Sequence, residues 1–168
     1  ARVPFIVKWP GMIESGTRTD VCFNCVDIMP TLLGLVGLEG PEDVEGMDLS
    51  HTLLGKSGPE PEAAFLQNTG ACATWENGHE WRALRDKQHT YAVYKMDRKE
   101  LLFDHQQDPF QLNNLAHHPE YITVRDHFRS LLADKMAALN DTFEASLWYK
   151  DHWISEDRCI LRTATLNS

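Results

Sequence analysis

The sequence predicts an α/β protein in two parts: a strand–helix unit first, then an α+β subdomain in which a small antiparallel sheet packs against one long helix. Three observations predict it. An apolar run at Val3–Trp9 is followed by a helical pattern over Asp27–Gly37. Two short strand-like runs, Trp81–Arg85 and Thr90–Tyr94, surround the polar stretch Asp86-Lys87-Gln88-His89. An apolar stripe at helical spacing then runs from Tyr121 to Leu139.

Each element has a physical reason. Val3, Phe5, Ile6 and Val7 are the β-branched and aromatic types of a buried strand. Pro10-Gly11 ends it as a turn, and the polar residues 12–20 form a loop. Asp27 suits the positive end of a helix, and Pro30 sits in the first turn where a missing N–H does no harm. Ile28, Leu32, Leu35 and Val36 supply the buried face, and Gly37 stops the helix. One strand–helix unit cannot form a sheet alone, so it asks for neighbours. Residues 39–62 are rich in Gly, Pro and acid, with one short helix near Asp48–Leu54. Strands are expected at Ala64–Gln67, in the 81–94 hairpin, and at Leu101–Asp104. The long helix starts near Pro119, and its stripe of Tyr121, Val124, Phe128, Leu131, Leu132, Met136 and Leu139 should pack on one face of the strands. Trp81 is expected to pack on that helix. The organisation is therefore 1–40, the strand–helix portion; 41–62, a linker; 63–140, the C-terminal subdomain; and 141–168, a tail rich in Trp and Tyr.

Composition bounds the function. The chain has 168 residues, 42% hydrophobic and 24% charged, an ordinary globular mixture. At this length about 70% of the unfolded surface can be buried, which excludes a disordered tail or a disulfide-dense miniprotein. Net charge is −9, from 16 basic and 25 acidic residues, so a general polyanion surface and a nucleic-acid partner are not expected. No apolar run approaches the roughly 20 residues that span a bilayer. The chain opens Ala1-Arg2-Val3-Pro4 without Met, which reads as a cut, with any targeting segment upstream.

Most chemical signatures fail. Cys22 and Cys25 form one Cys-X-X-Cys with no second pair, whereas a zinc site needs four ligands; small buried side chains are the better reading. Ser50–Ser57 resembles a P-loop but lacks its first glycine. His79-Glu80 begins a zinc-protease string that stops at Ala83. No Gly-X-Ser-X-Gly elbow is present. Asn140-Asp141-Thr142 fits a glycosylation acceptor, which matters only on a eukaryotic secretory route.

One resemblance decides the reading. Arg2–Gly11 and Val26–Gly37 closely resemble the later part of the sulfatase family, in the alkaline-phosphatase-like superfamily. Val44–Leu49, Trp81–Arg85, Leu101–Asp104, Asp108-Pro109 and Asn113-Asn114-Leu115 resemble the family's following segments, in order and spacing. The resemblance implies the end of a mixed-sheet core followed by the antiparallel subdomain. It implies hydrolysis of sulfate esters with a formylglycine nucleophile, made in a Cys/Ser-X-Pro-X-Arg motif, and a calcium ion. It also implies a periplasmic, lysosomal or secreted location. The departure is large. The nearest match to the nucleophile motif, Ser57-Gly58-Pro59-Glu60-Pro61, has Pro where Arg is required, and no Asp-Asp or Asp-Asn pair is available for a metal. Calcium and formylglycine are therefore expected in a full-length parent. In this chain no catalytic residue or metal ligand is expected.

What remains is the pocket rim. By analogy with the family, Asn68–Arg85 is the substrate-recognition stretch, with Trp75 stacking on a ring and His79, Arg82 and Arg85 pairing with sulfate oxygens. Arg82 and Arg85 lie three apart on a strand, so at most one faces a given pocket. His105 and His127 are expected at the surface. The expected partners are the missing N-terminal catalytic portion, a sulfated small molecule or glycan, and a second copy through the edge of Val3–Trp9. The alternatives are part of a phosphodiesterase or phosphonate hydrolase of the same superfamily, or a non-catalytic carbohydrate-binding or assembly module.

Overall fold

The computed structural model describes residues 4–68 and 80–144, with the backbone of residues 154, 155, 158 and 159. The chain divides into two compact units, residues 1–64 and 65–168. The first holds a 3-10 turn at Cys25–Asp27, α1 (Ile28–Leu35) and α2 (Ser50–Leu53). Then come β1 (Ala64–Asn68), β2 (Trp81–Arg85), β3 (His89–Tyr94), β4 (Glu100–Asp104), a 3-10 turn at Pro119–Tyr121 and α3 (Ile122–Ala138). A two-residue pair, β5 (Ile154–Ser155) and β6 (Arg158–Cys159), lies in the tail.

In the first unit the expected strand at Val3–Trp9 is absent from its described residues, 4–9. A strand exists by hydrogen bonding to a neighbour. Among the described residues of the first unit no strand pairs with this run. Phe5 instead stacks on Phe23 at 4.6 Å, and Ile6 is 90% exposed. The Pro10-Gly11 turn is present, with both Met12 and Ile13 N–H donating to the Trp9 carbonyl. Asp27 does more than begin a helix. It completes a capping box with Asn24, and its other oxygen accepts the Met47 N–H at 2.8 Å. Thr31, fully buried, accepts the Leu49 N–H at 3.0 Å, so α1 and the 46–49 stretch are clipped together twice. A Cβ on Gly46 would lie 2.0 Å from the Val26 carbonyl oxygen, which is why the clip needs glycine there. Gly37, at φ +72, closes α1 as expected: Leu38 N–H reaches the Leu33 carbonyl and Gly37 N–H the Gly34 carbonyl.

The second unit carries the sheet, in the order β1-β2-β3-β4. The β2–β3 and β3–β4 pairs are antiparallel, with Leu84 opposite Tyr91 and Tyr91 opposite Leu102. This register places Arg82, Leu84, Tyr91, Val93 and Leu102 on one face. That face meets α3, where Phe128 and Leu132 are buried, and Tyr91 stacks on Phe128 at 6.2 Å. Trp81 alternates with Arg82 and so points to the other face, away from α3. The expectation that it packs on the helix is corrected by the strand period of two. Asn114 and Leu115 cover the outer edge of β4: Leu102 N–H donates to Asn114 Oδ1, and Leu115 N–H donates to the Leu102 carbonyl.

Candidate functional site

Helix α3 ends on Asn140, whose φ of +52 is tolerated by asparagine. Asn140 N–H reaches the Ala137 carbonyl and Asp141 N–H the Met136 carbonyl. This cap delivers Asp141 to the start of β2, where Arg82 waits. The Arg82 guanidinium grips both oxygens of Asp141, the Nη2–Oδ1 bond being 2.9 Å. It also donates to the carbonyls of Asn68, Trp81 and Glu144. The Phe143 ring lies 4.7 Å from its centre. Arg82 is 1% exposed. Burial alone would raise the Asp141 carboxyl, but the Arg82 bonds, the Phe143 N–H and the Arg82 and Lys95 charges hold it below the ordinary carboxylate range. Arg82 therefore acts through position. It ties β1, β2 and the exit of α3 into one joint.

Arg85 stands on the opposite face, as the spacing requires. Its Nη1 donates to Thr90 Oγ1 at 3.1 Å, and that hydroxyl lies 2.8 Å from His105 Nε2. His105 Nδ1 lies 3.4 Å from Gln111 Nε2. His105 is half-buried, because this cross-strand cluster draws it in; His127 is exposed. The hairpin register could have revealed the Arg85–Thr90 pair, since the two residues face each other across the expected turn. His105 carries no such signal, lying just past β4. Trp75 and His79 lie outside the described residues.

Two further networks frame the sheet. Arg129 binds both oxygens of Glu100, at 3.0 and 2.8 Å, and Tyr91 donates its hydroxyl to the same carboxylate. The Arg129 bonds hold Glu100 below its usual range. Burial, then the Glu100 contact, pushes the Tyr91 hydroxyl well up. Asp104, buried, accepts Gln88 Nε2 at 2.9 Å and Gln107 Nε2 at 3.1 Å; burial would raise its carboxyl, but the Gln88 bond, the Gln106 and Gln107 N–H bonds and the nearby His89 lower it. A cleft of about 720 Å³ opens beside the Glu100 network, between β3 and α3. Among the described residues no group of three or more His, Cys, Asp or Glu side chains converges as a metal site would. These residues thus do not fit the calcium that the family resemblance implies.

Residues 1–138 match the family model described as N-sulphoglucosamine sulphohydrolase, C-terminal. The chain belongs to the sulfatase family. Among curated sulfatases, an "Ulvan-active sulfatase" of Formosa agariphila is 36% identical over 152 residues, covering 88% of this chain and 29% of that protein. A "Delta 4,5-hexuronate-2-O-sulfatase" of Bacteroides thetaiotaomicron is 27% identical, covering 85% of this chain and 30% of that protein. The chain thus spans under a third of the length of these sulfatases. A solved structure described in complex with its substrate D-glucosamine-2-N,6-O-disulfate superposes with a TM-score of 0.73 over 82% of this chain and 28% of its own, at 22% identity, which shows the shared fold. A phosphonate monoester hydrolase of Agrobacterium radiobacter superposes less closely, with a TM-score of 0.53 at 25% identity over 82% of this chain and 28% of its own.

Proposed function

We propose that this chain forms the C-terminal part of a sulfuric ester hydrolase acting on a sulfated glycan. The carrying observation is the family match running unbroken from residue 1 to 138. The names of the relatives, an ulvan-active and a hexuronate sulfatase, support a sugar as the bearer of the sulfate. In this reading the calcium and the formylglycine belong to residues outside these 168. They would supply charge neutralisation and a nucleophile to an ester whose oxygens gain charge in the transition state.

The chain's own part is the rim. Trp75 stacks on a sugar ring, and His79 and Arg85 pair with sulfate oxygens. Arg82 enters as a positioning residue. All its donors are spent on Asp141 and on the carbonyls of Asn68, Trp81 and Glu144, so it holds β1, β2 and the exit of α3 together. The remaining partner in this reading is the rest of the sulfatase fold, set against the exposed apolar residues of the first unit.

The test is sulfate release from sulfated oligosaccharides by the intact polypeptide that carries this chain, read by ion chromatography. A stacked ring contributes about 0.5–1.5 kcal/mol beyond its area, so Trp75→Ala is expected to raise KM roughly tenfold with kcat little changed. Hydrolysis of phosphonate monoesters without sulfate release would select the phosphonate hydrolase reading. Glycan binding with no turnover would select the non-catalytic module.

A further inference from the structure

The sheet face turned away from α3 carries a polar cluster built from three stretches of chain. Arg85 ends β2, and Thr90 faces it in register near the start of β3. His105 follows β4, and its N–H donates to the Gln88 carbonyl at 2.7 Å, which pins its backbone to the hairpin turn. Its ring reaches the same pair. Nε2 lies 2.8 Å from Thr90 Oγ1, where Arg85 Nη1 donates at 3.1 Å. Gln111 closes the far side, its Nε2 3.4 Å from His105 Nδ1. Gln111 holds a left-handed backbone, φ +58, which a residue with a side chain keeps only when its surroundings impose it. Here they do: Gln111 N–H donates to the Asp108 carbonyl, and Asn113 N–H donates to Asp108 Oδ2.

These contacts set the proton positions. An amide nitrogen only donates, so Gln111 makes Nδ1 the acceptor of the neutral imidazole and leaves the ring proton on Nε2. His105 Nε2–H then donates to Thr90 Oγ1. That oxygen accepts from Arg85 and from His105, which uses both its lone pairs and leaves its own proton to be donated. Among the described residues the Thr90 hydroxyl bonds only these two side chains. A hydroxyl donor beside a guanidinium is the pairing that an oxyanion takes, since the charge assists one bond and the second fixes orientation. Arg82, 1% exposed, is closed to such a ligand, whereas Arg85 and Thr90 are half-buried.

We infer that Arg85 and the Thr90 hydroxyl form a two-donor contact for one sulfate group, and that His105 is the positioning residue that aims both. Both roles rest on the reading of Arg85 as a sulfate contact. The test measures KM and kcat for sulfate release from sulfated oligosaccharides by the intact polypeptide that carries this chain, with circular dichroism confirming each fold. Arg85→Ala removes a charged donor and is expected to raise KM roughly tenfold or more. Thr90→Val keeps the shape without the hydroxyl, and His105→Phe keeps a ring without the donor. Each is expected to raise KM about three- to fivefold, with kcat within about twofold. The double variant should be no worse than Thr90→Val alone, because both changes break one bond. His105→Gln, whose amide can donate to the same hydroxyl, should keep KM within about twofold of the parent. Either Thr90→Val or His105→Phe suffices if the other does not fold. An unchanged KM in Arg85→Ala, or no sulfate release from the unaltered polypeptide, would remove the reading of Arg85 and both roles with it. A raised KM in Arg85→Ala, with Thr90→Val or His105→Phe matching the parent, would leave that reading standing and overturn the inference. Equal rises in His105→Gln and His105→Phe would also overturn it, by marking His105 as a packing residue.

Discussion

Two units of one chain bury their apolar residues to different degrees. Among the described residues, the second leaves Met96, Phe110, Leu112 and Ile122 exposed but holds the larger core, while the first buries little beyond Cys22, Leu35 and Leu49. In residues 65–144, Leu84, Tyr91, Leu102, Ala116, Phe128 and Leu132 are all buried. In residues 4–64, Phe5, Ile6, Met12, Val26, Met29, Leu32, Val36 and Leu38 are each at least two-fifths exposed. Met29, Leu32 and Val36 recur at three and four residues, so α1 shows a continuous apolar stripe to solvent. The second unit closes its own core with a sheet, a helix and a buried ion pair. The first holds its shape by backbone clips, Asp27 to Met47 and Thr31 to Leu49, more than by packing. A self-contained core and a face awaiting cover are physically different objects, and only the first should respond strongly to internal deletions.

The largest expected effect follows from the joint in the second unit. Arg82→Ala would leave the Asp141 carboxylate without its partner, and breaking a buried pair costs about 3–5 kcal/mol. Urea unfolding followed by tryptophan fluorescence should show a loss of that order. A loss below about 1 kcal/mol would mean that the joint is ornamental. Next, Leu102→Ala removes a fully buried side chain from the sheet face and should cost about 2–5 kcal/mol, while Leu32→Ala on the exposed stripe of α1 should stay within about 0.5 kcal/mol. Equal losses at the two sites would erase the contrast between the units.

The pH dependence should follow the same division. Asp141, Glu100 and Asp104 are all held below their ordinary values in the folded second unit. Their folded values lie below their unfolded ones, so their contribution is present above the unfolded carboxylate range, near pH 4, and is lost as pH falls through the folded values. Melting temperature should therefore drop on acidification from pH 6 toward pH 3, and Asp141→Asn should flatten that slope. Tyr91 has the opposite sign. Its raised hydroxyl favours the fold below about pH 10, and that support fades at higher pH as the chain approaches the folded value. Within the second unit the smallest expected effect is Tyr91→Phe, which removes a buried donor yet leaves Glu100 with Arg129, and should cost about 1 kcal/mol.

The sites divide by how local their cause is. The β2–β3 hairpin was legible because its turn and its strand types sit side by side in sequence. The opposition of Arg82 and Arg85 followed from the strand period alone. Arg82's burial was not legible, because its partner Asp141 lies past the end of α3, where the sequence offered only a glycosylation pattern. The same holds for His105, joined to Arg85 through Thr90. The strand expected at Val3–Trp9 shows the converse error. Its residues have strand character, but pairing is a property of two segments, and a propensity names only one.

The sequence by itself determined the order of elements from α1 to α3, the stops at Gly37 and Asp108-Pro109, and the stripe of α3, since periodicity, turn chemistry and capping act over a few residues. It also carried the sulfatase resemblance. Only the tertiary structure decided that Arg82 is a joint, that Trp81 turns away from the helix, and that a cleft opens where α3 ends. Each of these depends on which distant backbone arrives opposite a side chain, and no local pattern records that.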